Sequence, residues 1–103
     1  MSERDVLEAV WQRYSRAGSR LWRNNVGLVR DSKGHVIRYG LCPGSSDLVG
    51  ITPVLITPDM VGQTIGVFTA IETKAPKGRL SKAQVNFLRM VSELGGIARE
   101  ERG

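Results

Sequence analysis

The chain has 103 residues, of which 41% are hydrophobic and 24% charged. This length favours one domain with a modest core, and the composition is typical of a soluble globular protein rather than a disordered one. Fifteen Lys and Arg residues against ten Asp and Glu residues give a formal net charge of +5, which favours polyanionic partners, with nucleic acid first.

Cys42 is the only cysteine and His35 the only histidine. A disulfide within the chain is therefore excluded, and no Cys cluster exists to hold zinc. A single cysteine fits a reducing cytoplasm. The N-terminal stretch MSERDVLEAV lacks an apolar signal core, and no stretch approaches the roughly 20 apolar residues of a membrane span. We therefore expect a cytoplasmic protein with no membrane partner.

The first predicted element is a helix in SERDVLEAVWQRYSRAG, capped by Ser2 and ended by Gly18. LWRNNVGLVR and HVIRYG predict two strands joined by a DSKG turn, and DLVGIT predicts a third strand. TIGVFTAIETK is rich in β-branched residues and is the strongest strand prediction. After the loop APKGRL, a second helix is predicted from Ser81 to Leu94, and IARE predicts a last short strand.

This order, α-β-β-β-β-α-β, predicts an α/β fold in which a mixed sheet is flanked by helices. No linker, repeat or low-complexity segment interrupts it. We therefore expect a single domain over residues 1–103.

Side chains alternate along the strand that contains TAIETK, so that Phe68, Ala70, Glu72 and Lys74 share one face. A carboxylate beside residues of core type is costly unless it is paired or bound to a metal. Glu72 therefore has two interpretations, a salt bridge with Lys74 or one part of an active site.

Asp47 follows the turn PGSS and opens the strand DLVGIT. By itself it fits a residue that caps the turn. If its strand pairs with that of Glu72, the two carboxylates converge and need a cation between them. Oxygen ligands without Cys or His favour Mg²⁺ or Mn²⁺. A metal held in this way beside Lys74 can activate a water molecule and stabilise the charge that develops on a phosphate.

Two further polar residues lie on the inward sides of the predicted helices. Gln84 fits a capping box with Ser81, or alternatively meets Lys74 or a phosphate. Glu3 lies within the apolar stripe of the first helix. It either compensates the helix dipole or reaches the same metal.

With Asp47, Glu72, Lys74 and Gln84 in this order, the chain resembles the PD-(D/E)xK nucleases and, more closely, the VRR-NUC family of virus-type replication-repair nucleases. The matching segments are LWRNNVG, PGSSDLVG, AIETK, RLSKAQVNFL and GGIA. One departure is Ser46, which precedes Asp47 where the superfamily name has proline. The resemblance implies a restriction-endonuclease-like core and Mg²⁺- or Mn²⁺-dependent hydrolysis of DNA.

The resemblance also assigns roles to single residues. It makes Asp47 and Glu72 metal-binding acids. It makes Lys74 the catalytic lysine and Gln84 the helix glutamine. A backbone carbonyl, that of Thr73, is expected as a further metal ligand.

The family also uses a glutamate of its N-terminal helix at the metal. Glu3 matches the pattern Glu-x-x-Val, and Glu8 is the alternative. Short members of the family are similar to phage proteins and act as homodimers on branched or duplex DNA, which implies a stand-alone, structure-selective endonuclease here. A catalytically silent DNA-binding module of the same fold is the alternative.

The basic residues crowd two places, the first hairpin and the loop after the Glu-x-Lys strand. That loop leads into a helix N-terminus, where backbone amides favour a phosphate. Asn24 and Asn25 fit either DNA contacts or residues that end a strand. No base-reading helix is evident, so recognition by backbone and shape is expected. The expected DNA contacts are Arg23, Asn24, Asn25, Lys77, Arg79 and Lys82.

Overall fold

A computed structural model describes residues 2–102. The chain forms two compact units, residues 1–50 and 51–103. A short 3₁₀ turn occupies Pro58–Met60. The helices and strands are α1 (Glu3–Arg16), β1 (Arg20–Arg23), β2 (Gly27–Arg30), β3 (Val36–Tyr39), β4 (Leu48–Ile51), β5 (Thr69–Lys74), α2 (Lys82–Glu93) and β6 (Ile97–Arg102).

The predicted first helix is confirmed as α1. The Ser2 hydroxyl accepts from the backbone N–H of Asp5, and the Asp5 carboxylate accepts from the backbone N–H of Ser2, both at 3.1 Å. This reciprocal capping box satisfies two amides that the first helical turn leaves without partners. The helix is followed by Gly18, whose φ of +106° favours glycine. Trp11 Nε1 donates to the carbonyl of Leu21, which ties α1 to β1.

The hairpin predicted at DSKG is also confirmed. β2 and β3 pair antiparallel, from Gly27 opposite Tyr39 to Arg30 opposite Val36. Asp31 holds the turn, because its Oδ1 accepts from the backbone N–H groups of residues 33 and 35.

The prediction of one strand through LWRNNVGLVR is wrong, because the segment forms two strands, β1 and β2. The break begins at Asn24, which is buried. Its Nδ2 donates to Ser45 Oγ and to the Ser46 carbonyl, and its Oδ1 accepts from the N–H of Leu41. These bonds fasten the chain to the 41–46 loop, and β1 then pairs with β4 while β2 pairs with β3. Five strands therefore precede α2, rather than four.

In the second unit, β5 and β6 are parallel neighbours with α2 as the connection between them. This is a β-α-β crossover, the usual way to join parallel strands. The predicted second helix and last strand are thereby confirmed. Val91 of α2 is fully buried, and Ile51 is also buried.

The predicted strand TIGVFTAIETK is too long, because β5 begins only at Thr69. Its partner β6 begins at Ile97, which lies opposite Thr69. Thr64, Ile65 and Val67 have β-branched side chains, but a strand needs a hydrogen-bonded neighbour as well as propensity. The α/β class with parallel and antiparallel pairing is confirmed, and within residues 2–102 the strands pair two by two. No helix in this described part is long and apolar enough to cross a bilayer.

Candidate active site

The second unit holds the Glu-x-Lys pair on β5. Exposure alternates along this strand, so that Ala70, Glu72 and Lys74 are half-buried while Thr69, Ile71 and Thr73 are exposed. Lys74 Nζ lies 4.0 Å from Glu72 Oε1, and the two side chains are 23% and 35% exposed. The predicted shared face and the salt bridge are both present. At this distance the contact is an ion pair rather than a hydrogen bond.

Gln84 makes two sets of contacts at the start of α2. Its side-chain Oε1 accepts from the backbone N–H of Ser81 at 2.8 Å, and its backbone N–H donates to Ser81 Oγ at 3.1 Å. These two bonds confirm the capping box. Its Nε2 donates to Glu72 Oε1 at 2.8 Å. The amide therefore caps the helix with its oxygen and holds Glu72 with its nitrogen. The expected alternative partner was Lys74, but the contact is with the neighbouring acid.

The first unit holds Asp47, whose side chain is 79% exposed. Its backbone carbonyl accepts from the N–H of Asn24 at 2.7 Å, which fixes the start of β4. Its Oδ1 lies 3.9 Å from Arg23 Nη1, and Arg23 Nε donates to Asn25 Oδ1 at 2.9 Å. The Asp47 carboxylate is thus presented to solvent beside a guanidinium.

The preceding turn is closed by Ser45, whose Oγ donates to the carbonyl of Cys42 at 2.7 Å and accepts from its N–H. Capping of this turn, which was one interpretation of Asp47, is thus performed by Ser45. A serine in PGSS is a known turn former, so the sequence did contain a signal for this role.

A cleft of about 530 Å³ opens beside Asp47 in the same unit. Both candidate helix glutamates line it. Glu8 is engaged by Arg4, whose Nε lies 3.4 Å from Glu8 Oε1. The cleft is lined by Glu3, Arg4, Leu7, Glu8, Trp11, Arg23, Asn25 and Asp47.

The predicted DNA contacts differ in their surroundings. Asn24 is only 8% exposed, and its amide is bonded to the 41–46 loop, which supports the strand-end interpretation. Arg23 and Asn25 lie at the cleft. Three exposed cations follow β5 in the second unit: Lys77, Arg79 and Lys82.

The predicted metal ligands are carboxylate and carbonyl oxygens, which are the donors that a hard divalent cation prefers. Among residues 2–102, no three Cys, His, Asp or Glu side chains are gathered as a ready-made metal centre. Mg²⁺ does not need such a cluster, because it usually keeps several waters and binds through one or two carboxylates. Both contacts of Glu72 engage Oε1, so Oε2 is the oxygen suited to a cation.

A mixed α/β core with Glu-x-Lys on a strand and a helix glutamine bonded to the acid is typical of a nuclease of restriction-endonuclease-like fold. The family model for the VRR-NUC domain matches residues 1–102, and the chain belongs to this family. Membership implies a nuclease-type function in DNA processing, with DNA as the substrate. The comparisons with curated proteins and with solved structures gave no match.

Proposed function

We propose that the chain is a metal-dependent DNA endonuclease in which Asp47 and Glu72 hold one Mg²⁺ or Mn²⁺ and Lys74 acts on the scissile phosphate. The hydrogen bond from Gln84 to Glu72 carries this proposal. A carboxylate that served only as a salt-bridge partner would not need a second donor from a helix cap. The bond restrains the Glu72 side chain through Oε1 and leaves Oε2 for the proposed cation.

Each residue of the second unit then has a distinct task. When bound, the metal supplies a Lewis acid that lowers the pKa of a water molecule and neutralises developing charge. The Lys74 amino group lies half-buried beside Glu72, where charge is poorly screened. It stabilises the negative charge that builds on the phosphate oxygens in the transition state. Gln84 holds the Glu72 carboxylate through its Oε1.

The first unit supplies two further proposed ligands, and the second unit supplies one more. Asp47 offers an exposed carboxylate at the start of β4. Glu3 is the proposed helix glutamate, because Glu8 is paired with Arg4. The backbone carbonyl of Thr73 completes the set. All are oxygen donors, which Mg²⁺ and Mn²⁺ prefer.

DNA is proposed to be held by its phosphates rather than read by its bases. The proposed contacts are Arg23 and Asn25 at the cleft, and Lys77, Arg79 and Lys82 after β5. Asn24 is left out because its amide is buried and bonded. Branched or duplex DNA, met during replication, recombination or repair, presents phosphates on two strands.

A homodimer would address both strands with two equivalent sites. Large apolar side chains are widely exposed, such as Leu55 at 86% and Val61 at 81%. A surface rich in exposed apolar groups is expected where a further chain binds. This supports association of two copies.

The test is incubation with supercoiled, linear and four-way-junction DNA, with and without Mn²⁺. We expect cleavage only with metal, and Lys74→Ala should lower the rate by about a hundredfold or more while DNA binding remains. Arg99→Ala is the matched control, because it removes one positive charge from the opposite face of the neighbouring strand. Salt-sensitive binding without cleavage in any divalent metal would instead indicate a silent DNA-binding module.

A further inference from the structure

One guanidinium, that of Arg102, contacts most of the loop that follows the Glu-x-Lys strand. Its Nη1 donates to the carbonyl oxygens of Ala75 at 3.2 Å, of Pro76 at 3.1 Å and of Gly78. A terminal guanidinium nitrogen has two hydrogens, so these three acceptors share them. The other terminal nitrogen, Nη2, forms an ion pair with Glu100, which fixes the plane of the group.

The position of this contact follows from the β5–β6 register. Arg102 lies opposite Lys74, and Glu100 lies opposite Glu72. Residues in register on parallel strands project from the same side of the sheet, since side chains alternate along both strands. The Arg102 side chain therefore starts beside Lys74. Its guanidinium holds the residues that follow Lys74 against the end of β6.

The contact also determines which groups of the loop face away from Arg102. No peptide bond is cis in the described residues, so each N–H points opposite to the carbonyl of its own peptide unit. Because the carbonyls of Pro76 and Gly78 point at Arg102, the amides of Lys77 and Arg79 point away from it. The side chains of both basic residues are exposed. An ordered loop binds an anion with a smaller entropic cost than a mobile one.

We propose that Arg102 is a positioning residue for DNA binding, which orders loop 75–79 so that Lys77 and Arg79 meet DNA phosphates beside Lys74. This inference rests on the proposed function, because it requires DNA at the same site. Arg102 acts through the loop and does not itself touch the DNA.

The first experiment compares Arg102→Ala and Arg102→Lys with the control Arg99→Ala, whose Nη1 donates only to the adjacent carbonyl of Ala98 among its described contacts. Binding to duplex DNA is measured in EDTA, and hydrogen exchange is followed in the loop peptide. Arg102→Ala should raise deuterium uptake in the loop and weaken binding about tenfold, with a smaller salt slope. Arg102→Lys should also bind DNA more weakly than wild type, since an ammonium lacks the planar fork of a guanidinium. Arg99→Ala should stay within about twofold of wild type.

A double-mutant cycle separates positioning from charge alone. If Arg102 acts through the loop, Arg102→Ala should weaken binding much less in a Lys77→Ala background than in wild type. Fully additive effects, wild-type affinity in Arg102→Lys, or unchanged loop exchange would each overturn the inference. If Arg102→Ala does not fold, Arg102→Lys with Lys77→Ala provides the same cycle.

The two proposals fail differently in these assays. Wild-type protein that binds DNA in EDTA but cleaves none with Mn²⁺ overturns the nuclease mechanism while the cycle still supports positioning. If the wild-type protein cleaves DNA but the effects of Arg102→Ala and Lys77→Ala on binding are additive, only the positioning role of Arg102 is overturned. Wild-type protein that binds no DNA overturns both.

Discussion

The amide of Gln84 joins helix capping to the acid of the Glu-x-Lys pair, and the two tasks can be separated by mutation. Gln84→Ala removes both the cap and the bond to Glu72. We expect a loss of about 1 kcal/mol in stability and of about tenfold or more in cleavage rate. Ser81→Ala removes the other half of the capping box but keeps the Gln84–Glu72 bond. It should lower stability similarly, by about 1 kcal/mol, with little change in rate.

Thermal unfolding and single-turnover cleavage measure the two effects. Equal losses of activity in both variants would contradict the assignment, because they would trace activity to the stability of α2. If Gln84→Ala keeps full activity, the hydrogen bond from Gln84 to Glu72 is not needed for cleavage.

Glu72 gives a second prediction at the scale of single residues. Glu72→Gln keeps the shape of the side chain but removes the charge that a cation requires. Wild-type protein should gain about 1.4 kcal/mol of unfolding free energy when Mn²⁺ is present at about ten times its dissociation constant, because the metal binds only the folded chain. Glu72→Gln should gain much less. Thermal unfolding with and without Mn²⁺ measures this, and an equal gain in both proteins would exclude Glu72 as a ligand.

At the scale of elements, Asn24 holds the junction of β1 with the 41–46 loop. Asn24→Ala leaves the Leu41 N–H and the Ser46 carbonyl without their partner. We expect a loss of about 2 kcal/mol or more in unfolding free energy. The adjacent Asn25→Ala, an exposed position, should cost no more than about 0.5 kcal/mol. Urea denaturation compares them, and equal effects would contradict the structural role of Asn24.

The capping box of α1 predicts a response to acid. Hydrogen bonds from the backbone N–H of Ser2, and then from its side chain, lower the pKa of Asp5 below the usual 3.8. Because the folded pKa is depressed, the stabilisation is fully present above the unfolded value and is lost as pH falls through the folded one. The melting temperature of wild type should therefore fall more between about pH 5 and about pH 3 than that of Asp5→Asn. Parallel curves would exclude this contribution.

The elements differ in how much of them local sequence determines. α1, α2 and the β2–β3 turn were predicted with nearly correct ends, because Ser2, Ser81, Asp31 and the glycines act within a few residues. The break at Asn24 depends on partners 17 to 22 residues away, and the start of β5 depends on where β6 begins. Propensity contains no information about such distant pairing.

The same distinction applies to the candidate site. The shared face of Glu72 and Lys74 follows from alternation along one strand, so it was predictable. The bond from Gln84 to Glu72 joins residues 12 apart on different elements, and the contacts of Arg102 span 24 to 27 residues. The convergence of Asp47 with Glu72 on one metal stays a prediction.

At the scale of the whole molecule, the proposed dimer has a consequence that a monomer lacks. If the two sites of one dimer cut the two strands of one duplex, linearisation of supercoiled DNA needs two competent protomers, whereas nicking needs one. Wild-type chain co-refolded with an equal amount of Lys74→Ala chain should then form mixed dimers at random. Compared with the same total amount of wild-type protein, the linearisation rate should fall to about one quarter, while the number of competent sites falls to about one half.

Gel quantification at limiting protein gives both rates, and light scattering gives the mass of the particle. Mixing the two separately folded proteins without exchange of subunits is the control, and it should halve both rates. A linearisation rate that stays proportional to the wild-type fraction after co-refolding would mean that each site cuts independently. The dimer would then have no part in cutting both strands, and the exposed apolar side chains would need a different explanation.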